Sequence, residues 1–480
     1  MSRIVVVGGG LAGLVVARRL AREVIGAEIF VAERAACCGG LIRTERDGGF
    51  VIEAGPDSFL TTKPDALALC DELRIGHELE PTLPHAHRAF IRREDRLLPI
   101  PEGMSGLVPI RLGSLFASGV LPLEGFARFV LDLVMPPGPP MQDETVGAFV
   151  RRRFGDEAWT WLFEPLLSGI HGGDVDRLSL RATFPALHEA EARSGSVLAG
   201  LREAARGRRR DDRDPRTPFT APAGGMERLI DALLADRGGA RVLINSRVVR
   251  VESRPDTAED AGGPRAAEDA RRWAVGMEHG GEIAADAIVL AIPARAASDL
   301  LRATSSALAD TLSAIPFERA LVVQLAYGRA DCPRPLAGHG YLNPRAGGRP
   351  ITACTWTSSK FRHRAPPEAV LLRMFVRTVA MGAAGSSDDT DPVRLAREEV
   401  RDALGIHAEP LWSRVFDWPD TMPQYTIGHP DRLDAIDHAL AGLPGLFLTG
   451  NSYRGVGIPD TIRAAESAAA RVRSFLAGAA

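Results

Sequence analysis

The sequence predicts an α/β fold around a Rossmann-like, dinucleotide-binding layer, and three observations carry the prediction. Residues 3–34 read as strand, helix and strand: an apolar run Ile4 to Val7, the loop Gly8-Gly9-Gly10-Leu11-Ala12-Gly13, an amphipathic stretch, then Ile29 to Val31. The loop fits G-x-G-x-x-G, and Glu33 lies 20 residues past Gly13, the distance at which a carboxylate reaches ribose hydroxyls. The chain ends on another β-loop-α unit, with the apolar stretch Gly445 to Thr449, Gly450, and an alanine-rich helix Asp460 to Leu476 with Asp460 placed as N-cap. Two chain ends that look like parts of one layer imply a domain assembled from separated segments. Gly8 permits the tight turn, Gly10 lets backbone approach a pyrophosphate, Gly13 lets helix and strand pack closely, and the helix start offers unpaired N–H groups. The plain alternative is a glycine turn in an ordinary βαβ unit. Strand, glycines, helix, strand and acid arriving in register favour the nucleotide site.

Composition narrows the class. At 480 residues and about 150 residues per domain, two or three domains are expected. Hydrophobic residues at 45% and charged residues at 25% are ordinary globular values. The net charge of −3 gives no reason to expect nucleic acid. Lys63 and Lys360 are the only lysines, so nearly all 58 basic residues are arginines, a bias read here as compositional. Cys37, Cys38, Cys70, Cys332 and Cys354 show neither C-x-x-C spacing nor nearby paired histidines, and His85 and His87 have no further ligand type beside them, so no metal site is expected. The N-terminus enters a strand at once, which makes a cytoplasmic location the expectation. No run of 18 apolar residues suggests a spanning helix.

Along the chain, Cys38-Gly39-Gly40 and Gly55-Pro56-Asp57-Ser58 follow the first acid, with a short strand pattern at Phe50 to Glu53 between them. Each is a turn by itself; returning so soon, they suggest loops that pass the same ligand. Helical periodicity then dominates Pro64 to Leu73, Leu112 to Met135, Thr145 to Phe154 and Phe184 to Arg206. In Leu112 to Met135, Glu124, Arg128 and Asp132 lie four apart and share one helix face; such a helix packs on a partner or rests on a membrane interface, with burial the simpler reading. The charge run Arg206 to Pro218 reads as a solvated loop. Strand patterns resume at Arg241 to Val251, Arg272 to Met277, Ala287 to Ile292, Leu321 to Ala326, Ile351 to Trp356 and Leu371 to Val376, with a loose hairpin tip over Glu252 to Arg271 and a helix over Pro392 to Leu404.

These pieces, with Arg88-Ala89-Phe90-Ile91, Gly169 to Asp174, Trp418-Pro419, Pro423-Gln424-Tyr425 and Gly450 to Asp460, resemble the flavin amine oxidase superfamily. Within it the chain is similar to the protoporphyrinogen oxidase and coproporphyrinogen III oxidase family along nearly its whole length. The resemblance implies non-covalently bound FAD and oxidation of a porphyrinogen to a porphyrin in haem biosynthesis, with dioxygen as acceptor. It implies an FAD-binding domain over residues 1–85, 219–300 and 405–480, a helical insertion over 86–218 and a strand-rich substrate domain over 301–404. Peripheral contact of the insertion with the inner face of a membrane, and a homodimer, are left open.

By the same resemblance the flavin carries the chemistry and no side chain is catalytic. The cofactor residues implied are Gly8, Gly9, Gly10, Leu11, Ala12, Gly13, Glu33, Arg34, Gly40, Gly55, Pro56, Asp57, Ser58, Val248 near the adenine, Trp418 beside the flavin, and Gly450, Val456, Gly457 and Ile458 at the closing helix. For substrate, Arg88 matches an arginine that binds a propionate, Gly169 lets a macrocycle lie close to backbone, Leu342 matches a clamp on a pyrrole, and His339 stands where a mitochondrial-type enzyme carries an aromatic. Arg377 stands where many relatives carry a small residue; an extra cation favours coproporphyrinogen, with four propionates, over protoporphyrinogen, with two. Rival readings are an amine oxidase or carotenoid desaturase, and a non-catalytic flavin-fold binding protein. Amine oxidases of this fold usually carry a lysine on the strand that here reads LVVQLA, and often a C-terminal cysteine for covalent flavin, yet no cysteine follows Cys354.

Overall fold

The computed structural model describes residues 1–84, 89–138, 143–207, 217–254, 271–377 and 391–478. A five-stranded parallel sheet runs in the order Arg241–Leu243, Glu28–Ala32, Arg3–Val7, Ala287–Leu290, Leu446–Leu448. Its strands come from four separated regions, and the central ones, Arg3–Val7 after its first residue and Ala287–Leu290, are apolar because both faces are covered. Alternation sends Ile4 and Val6 toward helices Leu11–Glu23 and Ile458–Gly478, and Val5 and Val7 toward helices Ala294–Leu301 and Ser306–Ser313. The expected FAD-type layer from separated segments is thus the fold observed.

A second, seven-stranded mixed sheet runs in the order Trp412–Pro423, Phe317–Gly328, Ala369–Val376, Ile351–Trp356, Gly340–Leu342, Ala89–Arg93, Arg96–Pro99. One face, which presents Val323, Leu372 and Met374, packs on Ala396 and Val400 of helix Pro392–Leu404. Glu399 of that helix accepts from Arg92 and Asn343, each at 2.8 Å, and from the Tyr341 hydroxyl at 3.2 Å, and so ties the helix to strands Ala89–Arg93 and Gly340–Leu342. The other face carries Gln324, Arg373 and Trp418 toward residues 53–55.

Four expectations are corrected. Strands Ala89–Arg93 and Arg96–Pro99 lie in the segment read as helical insertion, and Trp412–Pro423 in the segment assigned to the FAD layer; all join the seven-stranded sheet, because long-range pairing such as Val323 with Val415 decides their place. Leu112 to Met135 is not one helix. Helix Leu112–Ser118 ends at Gly119 with φ +67°, and helix Leu123–Val130 restarts after Pro122. Asp132 therefore lies in the turn Leu131–Leu133 after the second helix, where it is fully buried and receives Arg153 Nε at 2.6 Å. Arg241 to Val251 divides at Asn245, φ +50°, into strands of two different sheets. Asp460 lies inside the first turn of the last helix, which starts at Ile458 and accommodates Pro459 there. The tip of the hairpin formed by Val248–Ser253 and Trp273–Met277, and most of the charge run, lie outside the described residues. Among the described residues no helix is long and apolar enough to cross a membrane.

The buried Asp132–Arg153 pair yields a stability prediction. Asp132→Ala removes the carboxylate that receives Arg153 Nε and leaves Glu191, at 3.3 Å, as the remaining charged partner of that buried guanidinium; it should cost about 3 kcal/mol, read as a lowered denaturant midpoint.

Candidate functional site

The first and last helices run parallel, since Arg19 pairs with Glu466 at 2.6 Å and Arg473 with Glu23 at 2.6 Å. Both N-termini consequently meet at the carboxyl ends of the parallel strands, where ligands bind in open α/β sheets. The first helix has Gly10 as N-cap, without a side-chain cap and with no acid in its first turn, so the N–H groups of Leu11, Ala12 and Gly13 stay open to an anion. A Cβ on Gly13 would lie 1.9 Å from the Gly8 carbonyl oxygen, and Gly8 has φ +103°; both positions demand glycine. Gly39 donates its N–H to the Gly9 carbonyl at 2.9 Å, which brings the two glycine loops together. A Cβ built on Gly10 meets only Gly40 within 4 Å, so the two loops form a bare backbone cradle.

Glu33 accepts from the Gly9 N–H at 2.7 Å and the Ala35 N–H at 2.8 Å. A carboxylate offers about four acceptor positions, so capacity remains for hydroxyl donors. Arg34 beside it is exposed. The strand end at Leu243 accepts from the Glu33 N–H, and Ser246 donates back to the Glu33 carbonyl at 2.8 Å, which places Val248 two residues farther along. At the other rim Gly450, φ +122°, has nothing within 4 Å of its Cβ position, and Val456 and Gly457 are half-buried ahead of buried Ile458. Tyr425 binds the closing loop at both ends: its hydroxyl donates to the Asn451 carbonyl at 2.5 Å and accepts from the Gly455 N–H at 2.9 Å. One uncapped helix N-terminus with a second beside it, a glycine cradle and a carboxylate with spare acceptor positions fit a flavin dinucleotide.

Between the two sheets, three successive carbonyls are held from the seven-stranded sheet. Gln324 donates to Glu53 O at 2.7 Å, Trp418 to Ala54 O at 2.8 Å and Arg373 to Gly55 O at 2.5 Å. A Cβ on Gly55 would meet the Leu41 carbonyl oxygen at 1.7 Å. Behind this turn Glu53 pairs with Arg364 at 2.6 Å, both almost fully buried; burial pushes the Glu53 carboxyl up while Arg364, Thr44 and Met226 oppose it. After Pro56, Lys360 Nζ reaches both oxygens of Asp57 and Ser58 Oγ, each at 3.0 Å. Burial works to raise the Asp57 carboxyl, but Lys360 and Arg373 outweigh it and hold it well below the usual carboxylate range.

On the substrate side the structure brings together several residues named from sequence. Gly169, in helix Glu164–His171, faces Leu342, whose Cδ2 would be 3.0 Å from a Cβ there. The His339 ring packs edge-on against Phe219, centroids 6.4 Å apart, and Lys360 Nζ lies 5.2 Å from the same Phe219 ring. Arg377 continues the sheet through its N–H to the Pro350 carbonyl at 2.7 Å. Its Nη2 is buried without a hydrogen-bond partner among the described residues. Burial lowers its guanidinium, partly offset by Glu164 at the start of the helix that carries Gly169. Arg88, like His85 and His87, lies outside the described residues. Sequence reasoning missed Gln324, Lys360 and Arg373. The signals were a glutamine in an apolar strand and a lysine in a chain that otherwise uses arginine.

The fold and the site define a flavin oxidoreductase. The profile of the family described as flavin containing amine oxidoreductase matches residues 11–473, and the chain belongs to that family, which implies FAD as cofactor. It is 29% identical over 483 residues to the coproporphyrinogen III oxidase of Bacillus subtilis (strain 168), covering 99% of this chain and 98% of that protein. It is 30% identical over 500 residues to protoporphyrinogen oxidase 1, chloroplastic, of Arabidopsis thaliana, covering 98% and 88%. A crystal structure from Exiguobacterium sp. 255-15, provisionally described as a protoporphyrinogen oxidase, matches with a TM-score of 0.82 at 27% identity, covering 98% of this chain and 99% of that one.

Two side chains of this site give measurable outcomes. Trp418→Phe keeps an aromatic ring but removes the indole N–H and frees the Ala54 carbonyl; with about 1 kcal/mol at stake in one hydrogen bond, FAD binding measured by flavin fluorescence should weaken several-fold. His171, which ends the Gly169 helix, is buried, and burial lowers its imidazole to about 4. A base whose folded value is depressed supplies stability above its unfolded value of 6.5 that is lost as pH falls toward 4. His171→Leu should therefore flatten that limb of the stability profile by up to about 3 kcal/mol, followed by denaturation at stepped pH.

Proposed function

We propose that this chain oxidises a porphyrinogen to the corresponding porphyrin, with FAD bound and dioxygen as acceptor. The observation that carries the reading is an apolar contact surface, Leu342 on the sheet whose side chains hold the Gly55 turn, facing the bare backbone of Gly169 in helix Glu164–His171. That surface suits a flat macrocycle and contains no nucleophile. Relatives named for coproporphyrinogen and for protoporphyrinogen are about equally similar, so identity leaves the choice of porphyrinogen open.

Bound FAD would supply a two-electron acceptor. Over three rounds three methylene bridges each lose a hydride, two of the accompanying protons leave pyrrole N–H groups and the third leaves the fourth bridge, so that six electrons and six protons are removed and three dioxygen molecules become three of peroxide. The protein's part is positioning and exclusion of water. Gly8 to Gly13, with Leu11 and Ala12, and Gly40 would receive the pyrophosphate and Glu33 the ribose, with Arg34 and Val248 on the adenosine side. Gly55 to Ser58, Trp418, Gly450 and Val456 to Ile458 would frame the isoalloxazine. Gly169, Leu342 and His339 would orient the macrocycle, and Arg88 and Arg377 would receive propionates. The Arg377 donor without a partner favours the substrate richer in carboxylates, coproporphyrinogen III, because a guanidinium pairs with carboxylate in bidentate fashion.

The test is fluorescent porphyrin formation in air from coproporphyrinogen III and from protoporphyrinogen IX, corrected for spontaneous oxidation. Oxidation of either supports the reading, and a flavin-loaded protein that oxidises neither overturns it. Arg377→Met should raise KM for coproporphyrinogen III roughly tenfold, the loss expected for a charge-assisted hydrogen bond, and change KM for protoporphyrinogen IX less.

A further inference from the structure

Lys360 is one of two lysines in the chain, and its side chain is only 10% exposed. It binds Asp57 through both carboxylate oxygens and touches Ser58 Oγ, while Ser58 in turn donates to Asp57 Oδ1 at 2.7 Å. Arg373, also buried, lies 4.0 Å from Asp57 Oδ2 and donates to the Gly55 carbonyl. Its Nε has no partner among the described residues. The neighbouring Glu53–Arg364 pair adds one charge of each sign and leaves the balance unchanged. One carboxylate therefore faces two cations, and the cluster carries one positive charge in excess. Burying an unbalanced charge is costly unless something compensates it. Among the described residues, the N–H groups of Gly55, Asp57 and Ser58 also meet no acceptor, so the turn offers open donors beside the excess cation.

We propose that Lys360, Asp57 and Arg373 form a charge unit whose one excess positive charge stabilises the reduced, anionic cofactor at the Gly55–Ser58 turn. The inference rests on the assignment of residues 55–58 to FAD. Gaining two electrons and one proton, the ring system takes on one negative charge, so a fixed cation nearby binds the reduced form more tightly than the oxidised form. The unit adds to the two helix N-termini at the same end of the sheet. Its position also links the two sides of the site. The Arg373 guanidinium lies 4.7 Å from the Phe375 ring, Phe375 pairs in register with Ala353, and Ala353 pairs with Leu342.

The experiment is the midpoint potential of the FAD-loaded enzyme, measured by anaerobic reductive titration against a reference dye. Lys360→Met, which removes the cation, should lower the potential by at least a tenfold change in the reduced-to-oxidised affinity ratio, about 30 mV for a two-electron couple. Lys360→Arg retains the charge and should stay near wild type. Asp57→Asn added to Lys360→Arg, where the cation cannot shed its proton, should raise the potential. A merely structural role would weaken FAD binding in the variants without moving the potential in opposite directions. If Lys360→Met does not fold, Lys360→Gln is read in its place. Potentials that do not move, or that move the same way in the cation-less and the carboxylate-less variants, overturn the charge unit while leaving the flavin reading intact. A wild-type chain that takes up no FAD overturns both.

Discussion

Two helices that run parallel on one face of the five-stranded sheet bring two positive ends to a single point, and the surrounding structure answers that concentration of charge. The ion pairs Arg19–Glu466 and Arg473–Glu23 bind the helices side by side and oppose the repulsion of aligned dipoles. At the open end, Asp460 sits in the first turn of the second helix, where an acid is favoured, and is bridged to Lys63 at 2.5 Å and Arg463 at 3.0 Å. Glu33 is drawn to the Gly9 N–H at the start of the first helix. What remains uncapped is the first turn after Gly10, which suits an anionic ligand and little else.

The seven-stranded sheet completes the site by a different device. One of its faces is an ordinary apolar core against helix Pro392–Leu404, stiffened by the buried Glu399 network. Its opposite face places three polar side chains, Gln324, Arg373 and Trp418, on three consecutive carbonyls of residues 53–55. Buried carbonyls need donors. Here the donors come from strands that are distant in sequence, so the geometry of the turn depends on assembly of the whole sheet. Leu342 and the donors that hold the turn thus belong to one sheet.

Much of this was readable before any coordinates. The glycine loop and Glu33 form a local motif, with every part inside a short length of chain. Helix Pro392–Leu404 and strands Phe50–Glu53 and Ile351–Trp356 occur where their periodicity places them, and Thr145 caps its helix by accepting from the Ala148 N–H. The misreadings also have causes. Apolar periodicity ran on through Gly119 and Pro122, although the left-handed glycine ends one helix and the proline restarts another. Asn245 interrupts what looked like one strand. The alternation of Trp412–Pro423 between exposed and half-buried positions carries no information about which sheet it joins.

By itself, the sequence determined the parallel layer, the nucleotide loop with its acid, the strands and helices that flank them, and a resemblance pointing to porphyrinogen oxidation. Those features depend on residues close together in the chain, where spacing and period are direct physical signals. Only the tertiary structure decided that Asp132 is buried against Arg153, that strand Trp412–Pro423 belongs to the second sheet, and that Lys360 meets Asp57 across 303 residues. Contacts of that span leave no periodicity to read, because burial and charge pairing are settled by which surfaces meet when the sheets close on each other.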